Sequence, residues 1–235
     1  MIQLTVAGDA ESAARTTAER IVAAIEDARA RRGVAHVSLA GGRTPARTYE
    51  LLARMVRDWR DVHLWLGDER CVPRDDDDSN YKLVVDTLLS QPHDPPPTIH
   101  AWEGAADDPA AAAAAYEREL RALLPGDPPQ LDLALLGLGE DGHTASLFPD
   151  DPILEERERL CAAVQGTKPP FDRLTMTLPL LRAARRAIVL AGGAGKAWAV
   201  SQVQAGPSTR IPASLLDVDG LEVELILDRD AAPAS

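Results

Sequence analysis

The sequence predicts an α/β fold: a single domain, residues 1–235, with a mostly parallel, Rossmann-like sheet flanked by helices. Three observations predict it. Short, near-continuous apolar runs recur along the chain, each run ends at a glycine- or aspartate-bearing turn, and a longer stretch of helical character follows. Strands that are apolar at every position, alternating with helical patterns, are the mark of a parallel sheet covered on both faces.

The first such run is Val37 to Ala40, which leads into Gly41-Gly42. Thr44 and Pro45 then open a helical stretch to about Val56, with Thr44 suited to the N-cap and Pro45 to the first helical position, where its missing N–H costs nothing. His63 to Leu66 is the next strand, ending at Gly67-Asp68-Glu69-Arg70; Leu131 to Leu136 ends at Gly137-Leu138-Gly139. Arg186 to Ala191 ends at Gly192-Gly193 before a helix near Lys196, and Leu221 to Leu227 is the final strand. Ala10 to Ala30 has the spacing of a long surface helix. Helix propensity explains the alanine run within Pro109 to Leu124, and four prolines make Gln91 to Thr98 a rigid loop. No repeat of solenoid period and no shift of composition marks a second domain.

The 235 residues hold 37 Asp plus Glu against 25 Lys plus Arg, a formal charge of −12. Such a balance disfavours nucleic acid as a partner, because phosphate backbones need a basic face. No apolar run reaches the ~20 residues that span a bilayer, and Met1 to Val6 lacks the basic and apolar regions of a signal peptide. Cys71 and Cys161 form no CxxC pattern, so neither disulfide framework nor structural zinc is expected. A soluble cytoplasmic protein, without metal or cofactor, is the expectation.

Several strand ends carry chemistry. Gly41-Gly42-Arg43-Thr44 permits close backbone approach, aims N–H groups at a ligand and adds side-chain donors, the design of an anion site; a plain strand-to-helix turn reads the same. Lys196 near a helix start is a second place that favours an anion, although Leu190 and Ala197 exclude a P-loop. His143 in Asp141-Gly142-His143 suits a general base, with Asp141 or Glu140 to orient it, and a capping histidine is the alternative. Asp68 and Glu69 are a carboxylate pair for acid–base or orienting work, and Arg70 can grip an oxyanion; an ion-paired loop would look alike. Arg173 opens an expected strand as either a ligand or a surface charge. His36, His63, His93 and His100 read as structural or exposed. Gly137 to Gly142 fits G-x-G-x-x-G, but Pro149 and Pro152 stop the long helix that a dinucleotide site needs.

In combination, Ser38 to Pro45, Gly67 to Pro73, Ser79-Asn80-Tyr81 and Gly137 to Pro149, followed by Arg173 to Thr177 and Gly192 to Lys196, resemble the 6-phosphogluconolactonase family over roughly residues 2–228. Ala40 departs from the family's serine-glycine type of turn. The resemblance implies the architecture shared with glucosamine-6-phosphate deaminase and ribose-5-phosphate isomerase. It also implies hydrolysis of 6-phospho-D-glucono-1,5-lactone to 6-phosphogluconate in the oxidative pentose phosphate pathway. Under it, His143 is the base and Asp141 its orienting group. Arg43, Arg173, Lys196 and the Gly41-Gly42 turn hold the phosphate, with Arg70 on the phosphate or on a carboxylate. The partner is then a small phosphorylated lactone, and the chain a monomer or weak homodimer. A sugar-phosphate isomerase or deaminase is the rival enzyme, though its extra glutamate is missing from Gly142 to Pro149 and Arg70 stands where it would carry tyrosine. A non-catalytic sugar-phosphate binder is the other rival.

Overall fold

The computed structural model describes residues 2–233; Met1, Ala234 and Ser235 of the expected domain lie outside the described residues. Ten strands, β1 (Gln3–Val6), β2 (Ala35–Leu39), β3 (Val62–Leu66), β4 (Asp68–Arg70), β5 (Thr98–His100), β6 (Leu133–Gly137), β7 (Cys161–Gln165), β8 (Asp172–Met176), β9 (Arg186–Ala191) and β10 (Glu222–Leu227), form two sheets. The helices are α1 (Ala10–Arg32), α2 (Ala46–Met55), α3 (Asn80–Thr87), α4 (Pro109–Leu123), α5 (Leu178–Ala183) and α6 (Ala197–Gln204).

The larger sheet has seven strands in the order β1-β10-β9-β6-β2-β3-β5, every neighbouring pair parallel. The apolar runs form its centre because each is buried on both faces: all of β2 is buried, as are Leu64 to Leu66 and Leu133 to Leu136. Burial this complete leaves hydrophobic transfer, at about 25 cal/mol per Å² of apolar surface, as the dominant stabilising term. The strands then end in step, so the turns after β3, β2, β6 and β9 gather along one edge of the sheet.

The second sheet is antiparallel, in the order β4-β8-β7. Sequence reasoning reads Asp68 to Arg70 as a turn; the structure instead makes these residues a strand paired with β8, with Arg70 directly opposite Arg173. Both sheets contribute to one hydrophobic core, in which Leu174 and Met176 of β8 join Leu64 of β3 and Leu135 of β6.

Some helix ends follow the local rules. Asp9 accepts from the N–H of Ser12 to cap α1, Gly33 closes it at φ 80°, and Asp108 caps α4. The expected start of α2 needs correction. The helix begins at Ala46, Pro45 precedes it, and the Thr44 side chain makes no capping bond. Gly42 at φ 82° and a turn from the Ala46 N–H to the Arg43 carbonyl redirect the chain first, leaving Thr44 exposed. No helix follows Gly137 to Gly142; the chain turns irregularly into a short 3-10 segment, Pro152–Glu155, as its prolines predict.

Candidate active site

Four adjacent strands end at one cavity of about 380 Å³. From β2 come Gly41, Gly42, Arg43 and Thr44; from β3, Gly67 and, through β4, Asp68 and Arg70. The turn after β6 supplies Glu140, His143 and Ala145, and the turn after β9 supplies Gly192 and Lys196. This is where open α/β sheets bind ligands, outside the carboxyl ends of the strands.

His143 is held from one side only. Its Nδ1 lies 2.6 Å from Asp141 Oδ1, and its backbone N–H also donates to that oxygen at 3.1 Å. A carboxylate accepts, so Nδ1 is the donor of this pair, and Nε2 takes part in no hydrogen bond in a ring that lines the cavity. Burial pushes the Asp141 carboxyl up, but the hydrogen bonds and charge of His143 outweigh it and hold the group at about 2. Gly139 makes the arrangement possible: a Cβ there would stand 2.0 Å from His143 Nδ1 and 2.5 Å from Asp141 Oδ1. Phe148 packs its ring 5.0 Å from the imidazole and lies under the guanidinium of Arg173.

The cationic side is equally particular. Among the described residues, the side chains of Arg43 and Lys196 take part in no hydrogen bond or ion pair, and the N–H groups of Gly41 through Thr44 have no acceptor. In a chain of charge −12, cations without carboxylate partners at a glycine-rich turn make a locally anion-seeking surface. Asp228 builds the facing turn by accepting the N–H of Gly193 on both oxygens and that of Ala231 on one. Arg70 lines the cavity, donates to the Asp78 carbonyl at 2.5 Å, and has a buried Nε with no partner.

The remaining expected site residues sit differently. Arg173 does not line the cavity: its guanidinium donates to the carbonyls of Pro170 and Lys168, and burial together with Arg70 pushes its pKa down. Glu69, expected for acid–base or orienting work, does not line the cavity and makes no contact with His143. It is turned into the protein, where it accepts the N–H groups of Arg70, Asn80 and Tyr81 and so anchors the start of α3. Burial raises its pKa against the pull of those three donors. Asp68 lines the cavity but does not orient His143; it accepts from Ser146 Oγ at 2.8 Å and Asn80 Nδ2 at 3.1 Å. Asn80, Ser146 and Phe148 lie within the segments that carry the family resemblance, but the sequence assigns them no role; Asp228 is not singled out at all.

A larger cavity of about 560 Å³ lies at the opposite end of the sheet, where β9 and β10 begin. Four of its five arginines are neutralised on the spot, Arg32 and Arg185 by Asp132, Arg31 by Asp27 and Arg186 by Glu222, while Arg182 donates to the Leu215 carbonyl. Size favours that cavity; unsatisfied charge and a poised imidazole favour the smaller one.

The family profile described as glucosamine-6-phosphate isomerases/6-phosphogluconolactonase matches residues 8–224. The chain belongs to this family. Within it, the chain is 40% identical over 213 residues to a 6-phosphogluconolactonase of Synechocystis sp., covering 88% of this chain and 87% of that protein. It is 41% identical over 218 residues to a 6-phosphogluconolactonase of Streptomyces coelicolor, covering 87% and 83%. The solved structure of 6-phosphogluconolactonase from Trypanosoma brucei superposes at a TM-score of 0.86 with 30% identity, over 98% of this chain and 97% of that one. A monomeric glucosamine-6-phosphate deaminase superposes at 0.82 with 24% identity, a likeness of fold alone. The mostly parallel sheet flanked by helices is thus the family's architecture. Among the described residues, no helix is long and apolar enough to cross a membrane.

Proposed function

We propose that this chain is a lactone hydrolase that converts 6-phospho-D-glucono-1,5-lactone to 6-phospho-D-gluconate, a step of the oxidative pentose phosphate pathway. One observation carries the reading: an imidazole fixed on one nitrogen by Asp141 opens its other nitrogen to a sugar-sized cavity that holds the unpaired cations Arg43 and Lys196. The curated relatives named 6-phosphogluconolactonase support the same substrate.

In this mechanism the Gly41 to Thr44 turn, Arg43 and Lys196 receive the phosphate. Arg70 adds its buried, unpartnered Nε–H, and Arg173, paired across the strands from Arg70, reinforces the positive field. His143 Nε2 takes a proton from a water attacking the lactone carbonyl. The C–O bond of the ring then breaks, and the imidazolium returns the proton to the departing ring oxygen. Asp141 stabilises the imidazolium and fixes the tautomer, and main-chain N–H groups stabilise the tetrahedral oxyanion. A δ-lactone is a reactive ester, so one base in an oriented pocket suffices. The residues act as one domain, in the cytoplasm, with a small phosphorylated lactone as partner and the chain a monomer or weak homodimer.

The test is acid release from freshly generated lactone, made by glucose-6-phosphate dehydrogenase in the same cuvette, beside a glucosamine 6-phosphate control. Hydrolysis above the spontaneous rate with no ammonia is the expected result. Ammonia release or aldose–ketose conversion without hydrolysis establishes the deaminase or isomerase rival, and saturable binding of 6-phosphogluconate without turnover establishes a binder.

A further inference from the structure

Asp68 is a buried acidic group of the cavity to which the hydrolytic mechanism gives no task. It is 7% exposed, lines the cavity, and forms no ion pair among the described residues. Its two neutral donors, Ser146 Oγ and Asn80 Nδ2, each occupy one carboxylate oxygen. A carboxylate accepts at about four lone-pair positions, so these two donors leave it able to accept further hydrogen bonds from a ligand in the cavity that it lines. A donor carried by a ligand can complete its hydrogen bonding. The cations of the site do not complete it, because Arg43 and Lys196 carry no ion pair and Arg70 reaches the Asp78 carbonyl.

The further donor that fits this carboxylate is a neutral one that arrives with the substrate. On a phosphorylated sugar lactone those donors are the ring hydroxyls, since the phosphate and the lactone carbonyl only accept. Neighbouring hydroxyls match the spacing of two carboxylate oxygens, and Ser146 and Asn80 fix the carboxylate plane from two different elements. We propose that Asp68 reads the ring hydroxyls of the substrate, and so selects polyhydroxylated phospholactones over phosphorylated lactones that lack them. The inference rests on the sugar-phosphate reading above and adds a basis for its specificity. A site built to bond a substrate hydroxyl discriminates strongly against the analogue without it, because its own polar group is then left unpaired.

The experiment compares two ligands on one protein. Calorimetry measures binding of 6-phosphogluconate and of its counterpart lacking the hydroxyls at C2, C3 and C4, to wild type and to Asp68→Asn. Hydrogen bonds to a charged group imply a preference of about 10–100-fold for the hydroxylated acid in wild type. Asp68→Asn is expected to erase most of that preference while keeping phosphate-dependent binding of the deoxy ligand. Because the ratio is internal to each protein, a change in folded fraction cancels. Ser146→Ala, which keeps the carboxylate but releases one of its anchors, is expected to lose part of the preference. Equal weakening of both ligands by Asp68→Asn, or an undiminished preference, overturns the proposal. Lactone turnover is followed in parallel: discrimination without turnover in wild type sinks the hydrolase reading and leaves the assignment of Asp68 standing.

Discussion

Two histidines in this molecule face a carboxylate at the same distance. His143 Nδ1 lies 2.6 Å from Asp141, and His100 Nδ1 lies 2.6 Å from Glu119. The first opens on a cavity. The second is closed: its Nε2 accepts from His63 Nδ1 at 2.8 Å, and its ring stacks on Trp65 with centroids 3.7 Å apart. A histidine–carboxylate pair is thus no sign of catalysis by itself. What separates the two is the second nitrogen, free in one and consumed in the other.

The sharpest way to break this contrast is to remove both rings in turn. His143→Asn is expected to lower kcat by about 10²–10⁴-fold, the usual worth of a general base, while calorimetric binding of 6-phosphogluconate stays near wild type. His100→Asn is expected to leave kcat per folded molecule unchanged and to cost about 1–3 kcal/mol in urea unfolding, through lost stacking and unpaired buried groups. Near-normal turnover in the His143 variant would reject its role.

Gly139→Ala tests the support beneath the pair. Its methyl group collides with both His143 and Asp141. A displacement of about an ångström costs on the order of 10²-fold in kcat, so stopped-flow turnover of the variant is the measurement, and full activity would show that the dyad tolerates rearrangement. Next comes Lys196→Ala, for which loss of a charge-assisted contact predicts a KM raised about 10–100-fold with kcat little altered. A fall in kcat alone would move Lys196 from binding to chemistry.

The last test belongs to the closed region and reads stability, not turnover. Burial first, then His63, His100 and Arg32, lower the pKa of His36 from 6.5 to about 4. A group with a folded value below its unfolded value binds more protons when unfolded. Stability is therefore full above about pH 6.5 and falls as the pH drops toward 4, by roughly 3 kcal/mol for this group at most. Denaturant midpoints across that range are expected to decline in wild type and to flatten in His36→Gln.

The sequence made the large sheet legible because its central strands are apolar at every position and end in glycine. It exposed His143 and the Gly41 to Thr44 turn for the same reason, since each follows such a strand. The small sheet stayed hidden: Asp68-Glu69-Arg70 has no apolar alternation, and its strand character comes from pairing with β8, far along the chain. The division of labour among acidic groups was also illegible. Asp141 orients the imidazole, Glu69 anchors a helix and Asp68 faces the cavity, and only the folded chain assigns neighbours in space. Thr44 misled because a good capping residue in sequence is overruled when Gly42 and the Arg43 carbonyl set the turn first.

The close approach of Asn80 to Gly41 has a consequence for engineering. A methyl group on Gly41 would fall 2.2 Å from the Asn80 amide, and the same amide holds Asp68. On the proposed reading, the phosphate turn and the hydroxyl-reading Asp68 both pack against this one amide, which is a common bracket between them. Retuning such an enzyme to a longer or shorter sugar would require recasting the bracket, because neither end slides alone.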